Sequence, residues 1–239
     1  ELWLQEEQLR GVVMEDGARL PAQAVVVATG VYMKSTILIG SHVTKSGPSG
    51  LLRSEKLSDS LAGLGFSIRR FKTGTPARVS RRSLDLTEME PQCGDEPAPR
   101  FSFISQWEER PQDPCYLTYT NAETHKIILD NIHRSAMYSG LVTGTGTRYC
   151  PSIEDKLMRF RDKERHQLFI EPEGRSTGEM YVQGMSTSLP YDVQVDMLHT
   201  LPGLRHCEVM RPGYAIEYDC IDPLALDLTL GAKHVEGLY

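Results

Sequence analysis

A continuous apolar run, Ala24 to Ala28 (AVVVA), ends in Thr29-Gly30. Three successive β-branched residues without polar alternation predict a strand covered on both faces, as in a parallel sheet flanked by helices. Glycine after such a strand permits a sharp turn or close approach of a ligand to the backbone. Upstream, Gly11 to Met14 is a short apolar run, and Asp16-Gly17 is a strong hairpin signal. Downstream, Ser54 to Leu64 reads as a helix, with Leu57, Leu61 and Leu64 on one face and Gly65 as its stop. Ser54 stands where an N-cap would.

From Phe71 to Arg110 the chain is rich in proline, glycine and charge, and helical periodicity disappears. Long loops and short strands are expected there, including a turn at Lys72 to Pro76 (KTGTP). Cys115 to Thr120 is strand-like, Thr124 to His133 helical and Gln167 to Ile170 a strand, followed by a turn at Glu171 to Gly174 (EPEG). Leu189 to Leu201 reads as a helix closed by Pro202-Gly203, and Tyr214 to Tyr218 as a short strand. Alternating strands and helices around a loop-rich, antiparallel-looking region suggest an α/β nucleotide-binding fold of the flavoprotein kind carrying an insertion. No G-x-G-x-x-G is present; Gly144-x-Gly146 breaks the pattern at Tyr149.

The 239 residues suffice for one large or two small domains. No apolar run approaches the length of a membrane span. The chain does not begin with methionine and looks like an internal piece of something larger. Its five cysteines contain no C-x-x-C pair, which indicates neither a zinc site nor a disulfide framework and fits a reducing cytosol. The seven histidines lack H-E-x-x-H spacing, so no metal site is expected. A net charge of −6 does not advertise a nucleic-acid binder, yet Arg69, Arg70, Lys72, Arg78, Arg81 and Arg82 crowd one segment. That cluster is either a solvated face or a phosphate-contacting strip.

Chemistry concentrates in Gly144 to Phe160 (GTGTRYCPSIEDKLMRF). Cys150 follows a glycine-rich turn and Arg148. Ile153, Leu157 and Phe160 then recur at helical spacing, which predicts one buried face. Pro151 suits a first helical position; alternatively Ser152 and Asp155 form a capping box. Either way Cys150 lies at or just before a helix N-terminus, where the dipole and Arg148 favour a thiolate. The competing reading is a small core residue.

Taken in order, VVVATG (Val25–Gly30), FKTGTPAR (Phe71–Arg78), CYLTYTN (Cys115–Asn121), RYCPSIEDKLMRF (Arg148–Phe160), EPEG, STSLPYDVQ (Ser186–Gln194) and RPGYAIEYD (Arg211–Asp219) form a specific set. By them the chain resembles, over essentially its whole length, the MnmG (GidA) family of tRNA uridine 5-carboxymethylaminomethyl modification flavoproteins. The resemblance implies a glutathione-reductase-type, Rossmann-like FAD-binding domain, with residues 1–70 and 206–239 forming part of it. Residues 71–205 would be an inserted mixed α/β nicotinamide and substrate domain.

It also implies FAD and NADH as cofactors, methylenetetrahydrofolate as the one-carbon substrate, and tRNA and an MnmE-type GTPase as partners. The family's enzymes would act in the cytoplasm, away from membranes, as a homodimer within a heterotetramer. Ser54 aligns with a flavin-contacting serine, and Gly30 closes the strand beside it. Gly146, Arg148, Tyr149, Cys150, Pro151, Ser152, Lys156 and Phe160 fall in a segment assigned to nicotinamide binding, and a glycine turn before a helix suits an anion. Cys150 aligns with a cysteine assigned to catalysis, by attack at C6 of uracil or by proton transfer.

Two departures from the family pattern stand out: KSGPSGLLRSE (Lys45–Glu55) replaces a Gly-Gly-Arg-rich loop, and Thr147 replaces a proline. The related folate- and FAD-dependent tRNA uridine methyltransferases share fold and cofactors, but RYCPSIEDK argues against them. A non-catalytic tRNA-docking module would rest on the basic segment instead.

Overall fold

A computed structural model describes residues 1–6, 8–104 and 111–239. Along it run β1 (Leu2–Gln5), β2 (Gln8–Val13), β3 (Arg19–Pro21), β4 (Thr36–Ile39), β5 (His42–Thr44), α1 (Leu57–Gly63), β6 (Ile68–Thr75) and β7 (Arg78–Ser80). Then come β8 (Glu90–Gln92), β9 (Cys115–Tyr119), α2 (Ala122–Asp130), β10 (Thr145–Gly146), α3 (Ile153–Arg159) and β11 (Gln167–Pro172). The remainder is β12 (Glu179–Gln183), α4 (Tyr191–His199), β13 (Val209–Arg211) and β14 (Tyr214–Ile221).

The strands form three sheets, ordered β1-β2-β3, β10-β6-β14-β4-β5 and β13-β7-β12-β11-β9-β8. The Asp16-Gly17 turn joins β2 to β3 as expected, and the Asp16 carboxylate accepts from the Ala18 amide at 2.9 Å. Within the five-stranded sheet β6 is the hub, antiparallel to β14 and parallel to β10. One core fills the six-stranded sheet beneath α2, α3 and α4, around Val79, Ile128, Ile153, Leu168, Ile170, Met180 and Leu198. Another gathers Leu2, Met33, Leu61, Phe66, Val235 and Leu238 from both ends of the chain. Each fully buried large side chain contributes roughly 1.5–3 kcal/mol over its exposed state.

Four local expectations change. The run Ala24 to Ala28 is not covered on both faces: Val25 and Val27 pack against the second core, while Val26 is 72% exposed. The Val25 and Val27 amides donate to the carbonyls of Gly237 and Tyr239 at 2.8 and 2.7 Å, so the segment has a paired edge on that side. Lys72 to Thr75 is not a turn. It belongs to β6, whose eight residues all pair with β14. Such a ladder overrides the turn preference of glycine and threonine. Ser54 is no N-cap, because α1 begins at Leu57 behind Lys56 and the Ser54 backbone bonds Tyr32 and Lys34 instead. Phe160 leaves the buried face of α3 and stands 53% exposed at its C-cap, while Ile153 and Leu157 are buried. Residues 105–110 of the expected loop region lie outside the described residues.

Beneath α2 two histidines meet. The rings of His125 and His166 are 5.6 Å apart, and the Thr120 hydroxyl, 2.7 Å from His125 Nε2, accepts from the His166 amide at 2.8 Å. His166 Nε2 is buried without a hydrogen-bond partner. Burial, followed by His125, Lys156 and Lys163, holds the His166 imidazole below its ordinary range, and burial does the same for His125. A free imidazole titrates near about 6.5, so the unfolded chain takes up protons there that the folded chain refuses. The stability these two rings allow is full above that pH and falls as pH drops below it. We expect the urea midpoint to decline between about pH 6.5 and 5.5, and to decline less steeply in His166→Phe. Equal slopes in both proteins would contradict this.

Candidate active site

Cys150 reaches its place through two anchors. The first is the start of α3, where Ser152 Oγ accepts from the Asp155 amide at 3.2 Å and the Asp155 carboxylate accepts from the Ser152 amide at 3.4 Å. This capping box makes Ser152 the N-cap and leaves Pro151 just outside the helix. The second anchor is β10, which pairs Thr145 with Phe71 and Gly146 with Lys72 and lays the glycine loop along β6. Gly144 permits the approach: a Cβ there would meet the Phe71 carbonyl at 2.9 Å. Across the loop, one oxygen of the buried Glu217 accepts from the Thr143 amide at 2.6 Å and from the Gly144 amide.

The half-buried Cys150 sulfur consequently meets β6. The Thr73 hydroxyl donates to Sγ at 3.0 Å, and Sγ lies 3.5 Å from the Gly74 carbonyl, to which a thiol can donate. Two lysines are within electrostatic reach of this sulfur. Lys72 is 3% exposed, and burial lowers its amine from the usual lysine range against the opposing pull of Asp155, Glu154 and Cys150. Lys156 is likewise lowered by burial, with Cys150 opposing, and its amine donates to the Gly184 carbonyl at 3.0 Å. Arg148, the cation expected here, instead lies 5.3 Å above the Tyr149 ring, and both side chains are exposed.

Sequence reasoning passed over Glu154. Its carboxylate is fully buried, and Oε1 accepts from Ser135 Oγ and Thr187 Oγ1 at 3.0 Å each and from the Ser188 amide at 3.1 Å. Oε2 has no partner. Beside it the Tyr138 phenol, 3.1 Å from Asp155 Oδ1, is pushed up to about 12, chiefly by burial. A glutamate in the first turn of a helix normally suggests a solvated residue; only the distant STSLP segment makes it structural.

The nicotinamide set is spread along α3. Gly146, Arg148, Tyr149, Pro151 and Ser152 surround its start, Lys156 is mid-helix, and Phe160 lines a separate cavity with His125, Leu129 and Lys163. The flavin candidates lie elsewhere. Ser54 and Val25 to Thr29 line one groove, and Thr29 and Gly30 line an adjoining cavity of about 220 Å³ with Asp219 and Cys220. Gly30 has φ +52° and open space where a Cβ would sit.

The six basic residues do not form one face. Arg69 pairs with Asp222, and Arg70 binds Asp219 at 2.8 Å and lies 3.7 Å from Glu217. Lys72 is buried, and Arg78 binds Glu173 at 2.8 Å while stacking on Tyr181. Arg81 and Arg82 are exposed, with no ion pair among the described residues.

Removing the Glu154 carboxylate strands three donors in the core beside the Cys150 loop. Glu154→Ala should cost about 2–4 kcal/mol in urea unfolding. Glu154→Gln should retain most of that stability, because its carbonyl oxygen can take the same three donors. A Glu154→Ala protein as stable as the parent would contradict the assignment.

Known proteins match this chain along its whole length. The Glucose inhibited division protein A family matches residues 1–239. The tRNA uridine 5-carboxymethylaminomethyl modification enzyme MnmG of Clostridium botulinum (strain Okra / Type B1) is 54% identical over 239 residues, which are 100% of this chain and 38% of that protein. The enzyme of the same name from Caldicellulosiruptor saccharolyticus is 53% identical, with the same coverage. Aquifex aeolicus GidA, in its form I crystal, superposes with a TM-score of 0.91 at 45% identity, covering 100% of this chain and 41% of that one. The fold class expected from sequence is therefore found, and the chain spans about 38% of the length of the curated relatives it matches. By this full-length match, the chain belongs to the glucose-inhibited division protein A family.

Proposed function

We propose that this chain carries the nucleophile-bearing part of a flavin-dependent enzyme that modifies C5 of the wobble uridine of tRNA with a carboxymethylaminomethyl-type group. The observation that carries this reading is the Cys150 sulfur, half-buried and hydrogen-bonded by Thr73 at the end of the glycine loop. A uracil ring is unreactive at C5 until a nucleophile adds at C6. Cys150 supplies that nucleophile: an Sγ–C6 bond forms, and the electron pair of the C5–C6 double bond becomes available at C5. After C5 bonds to the one-carbon unit, its proton leaves, the double bond returns and Sγ departs as thiolate. In this reading methylenetetrahydrofolate donates the carbon.

FAD bound to the enzyme supplies the redox chemistry, with NADH as reductant. The residues present fit the edge of a flavin site. Gly30 leaves open space at its Cα, and Thr29 lies between the groove that holds Ser54 and the cavity beside Asp219. The Tyr149 amide and the Arg148–Tyr149 stack offer the nicotinamide nucleotide a polar and aromatic platform. In the same reading the two cores correspond to the FAD-binding part, residues 1–70 and 206–239, and the inserted part, residues 71–205. The assembly is a homodimer that meets an MnmE-type GTPase and tRNA in the cytoplasm. Among the described residues no helix is long and apolar enough to cross a membrane. Arg81 and Arg82 remain available to tRNA phosphates.

The test compares full-length protein with its Cys150→Ser variant, reading digested tRNA by nucleoside mass spectrometry. The variant should lose the wobble modification by at least about a hundredfold, while NADH still bleaches the flavin near its parental rate. Normal modification by Cys150→Ser would overturn the proposal, and a product of 5-methyluridine mass would reassign the reaction.

A further inference from the structure

We propose that Thr73 on β6 activates Cys150, as the positioning residue that hydrogen-bonds the thiolate. The inference rests on the reading of Cys150 as a nucleophile. It concerns what makes that sulfur reactive.

The hydrogen-bond geometry supplies each protonation state with one partner. A thiol can donate to the Gly74 carbonyl at 3.5 Å, a weak contact for sulfur. A thiolate can only accept, and the Thr73 hydroxyl points its single proton at Sγ from 3.0 Å. Among the described residues Thr73 has no other side-chain acceptor, so its donor is committed to the sulfur. Hydrogen bonds to charged groups are roughly twice as strong as neutral ones. Thr73 therefore favours the thiolate more than the Gly74 carbonyl favours the thiol.

The strand explains how Thr73 reaches the sulfur. The parallel pairing of Gly146 with Lys72 and the bond from the Thr147 amide to the Lys72 carbonyl, 3.3 Å, hold the cysteine loop against this stretch of β6.

The experiment measures iodoacetamide alkylation of Cys150 at pH 7.5 by peptide mass spectrometry. It uses the full-length protein and its Thr73→Val and Thr73→Ser variants. Alkylation forms the Sγ–C bond with loss of iodide and reads the sulfur without needing tRNA. Thr73→Val keeps the shape and removes the donor, so the rate should fall about tenfold. Thr73→Ser restores the hydroxyl and should return to within about threefold of the parent. A parental rate in Thr73→Val would overturn the proposal, as would a Thr73→Ser protein as slow as Thr73→Val. Slowed variants alongside a Cys150→Ser enzyme that still modifies tRNA would uphold this activation of the sulfur and remove only the assigned reaction.

Discussion

The eight-residue antiparallel ladder between β6 and β14 governs the arrangement of the rest. It runs from Tyr214 opposite Thr75 to Ile221 opposite Ile68 and joins segments some 140 positions apart in sequence. Because side chains alternate along a strand, this register places Arg70 and Lys72 on one face, opposite Asp219 and Glu217. Arg70 answers Asp219 directly. Glu217 turns instead to the loop between α2 and α3, binding the amides of Thr143 and Gly144. A buried carboxylate that accepts backbone amides is a firm anchor, since leaving either side unpaired costs its desolvation. From that anchor the chain enters β10, lies along β6 and presents Cys150 to Thr73.

The other anchor is Glu154, on the far side of the same cysteine. It collects Ser135, Thr187 and Ser188 into one buried polar cluster that fixes the first turn of α3. Two buried carboxylates thus bracket a loop that is otherwise rich in glycine and threonine. Such a loop alone would sample many conformations, and a reactive sulfur needs one. Glu217 and Glu154 both belong to the scaffold; the open chemistry lies between them.

Sequence carried the local parts of this account. Ser152 and Asp155 at capping-box spacing and the Asp16-Gly17 turn were readable because each depends on neighbours a few residues away. The ordered motifs carried the family. KTGTP was not readable as a strand, because its extended state is imposed by β14 and not by its own residues. Lys72 and Arg70 looked like members of a basic surface for the same reason: the Asp219 that binds Arg70 and the β14 strand that buries Lys72 are remote in sequence. Val26 erred in the opposite direction. Its apolar character promised burial, yet only Val25 and Val27 face the core.

The central claim is that the Glu217 carboxylate pins the cysteine loop to the β6–β14 ladder. Amide hydrogen exchange of the full-length protein and its Glu217→Ala variant, resolved by peptide, measures that directly. Exchange in residues 143–150 should quicken by about tenfold or more in the variant, while the amides of β6 and β14 keep their protection. Unchanged exchange across 143–150 would show that the loop is held by something other than Glu217.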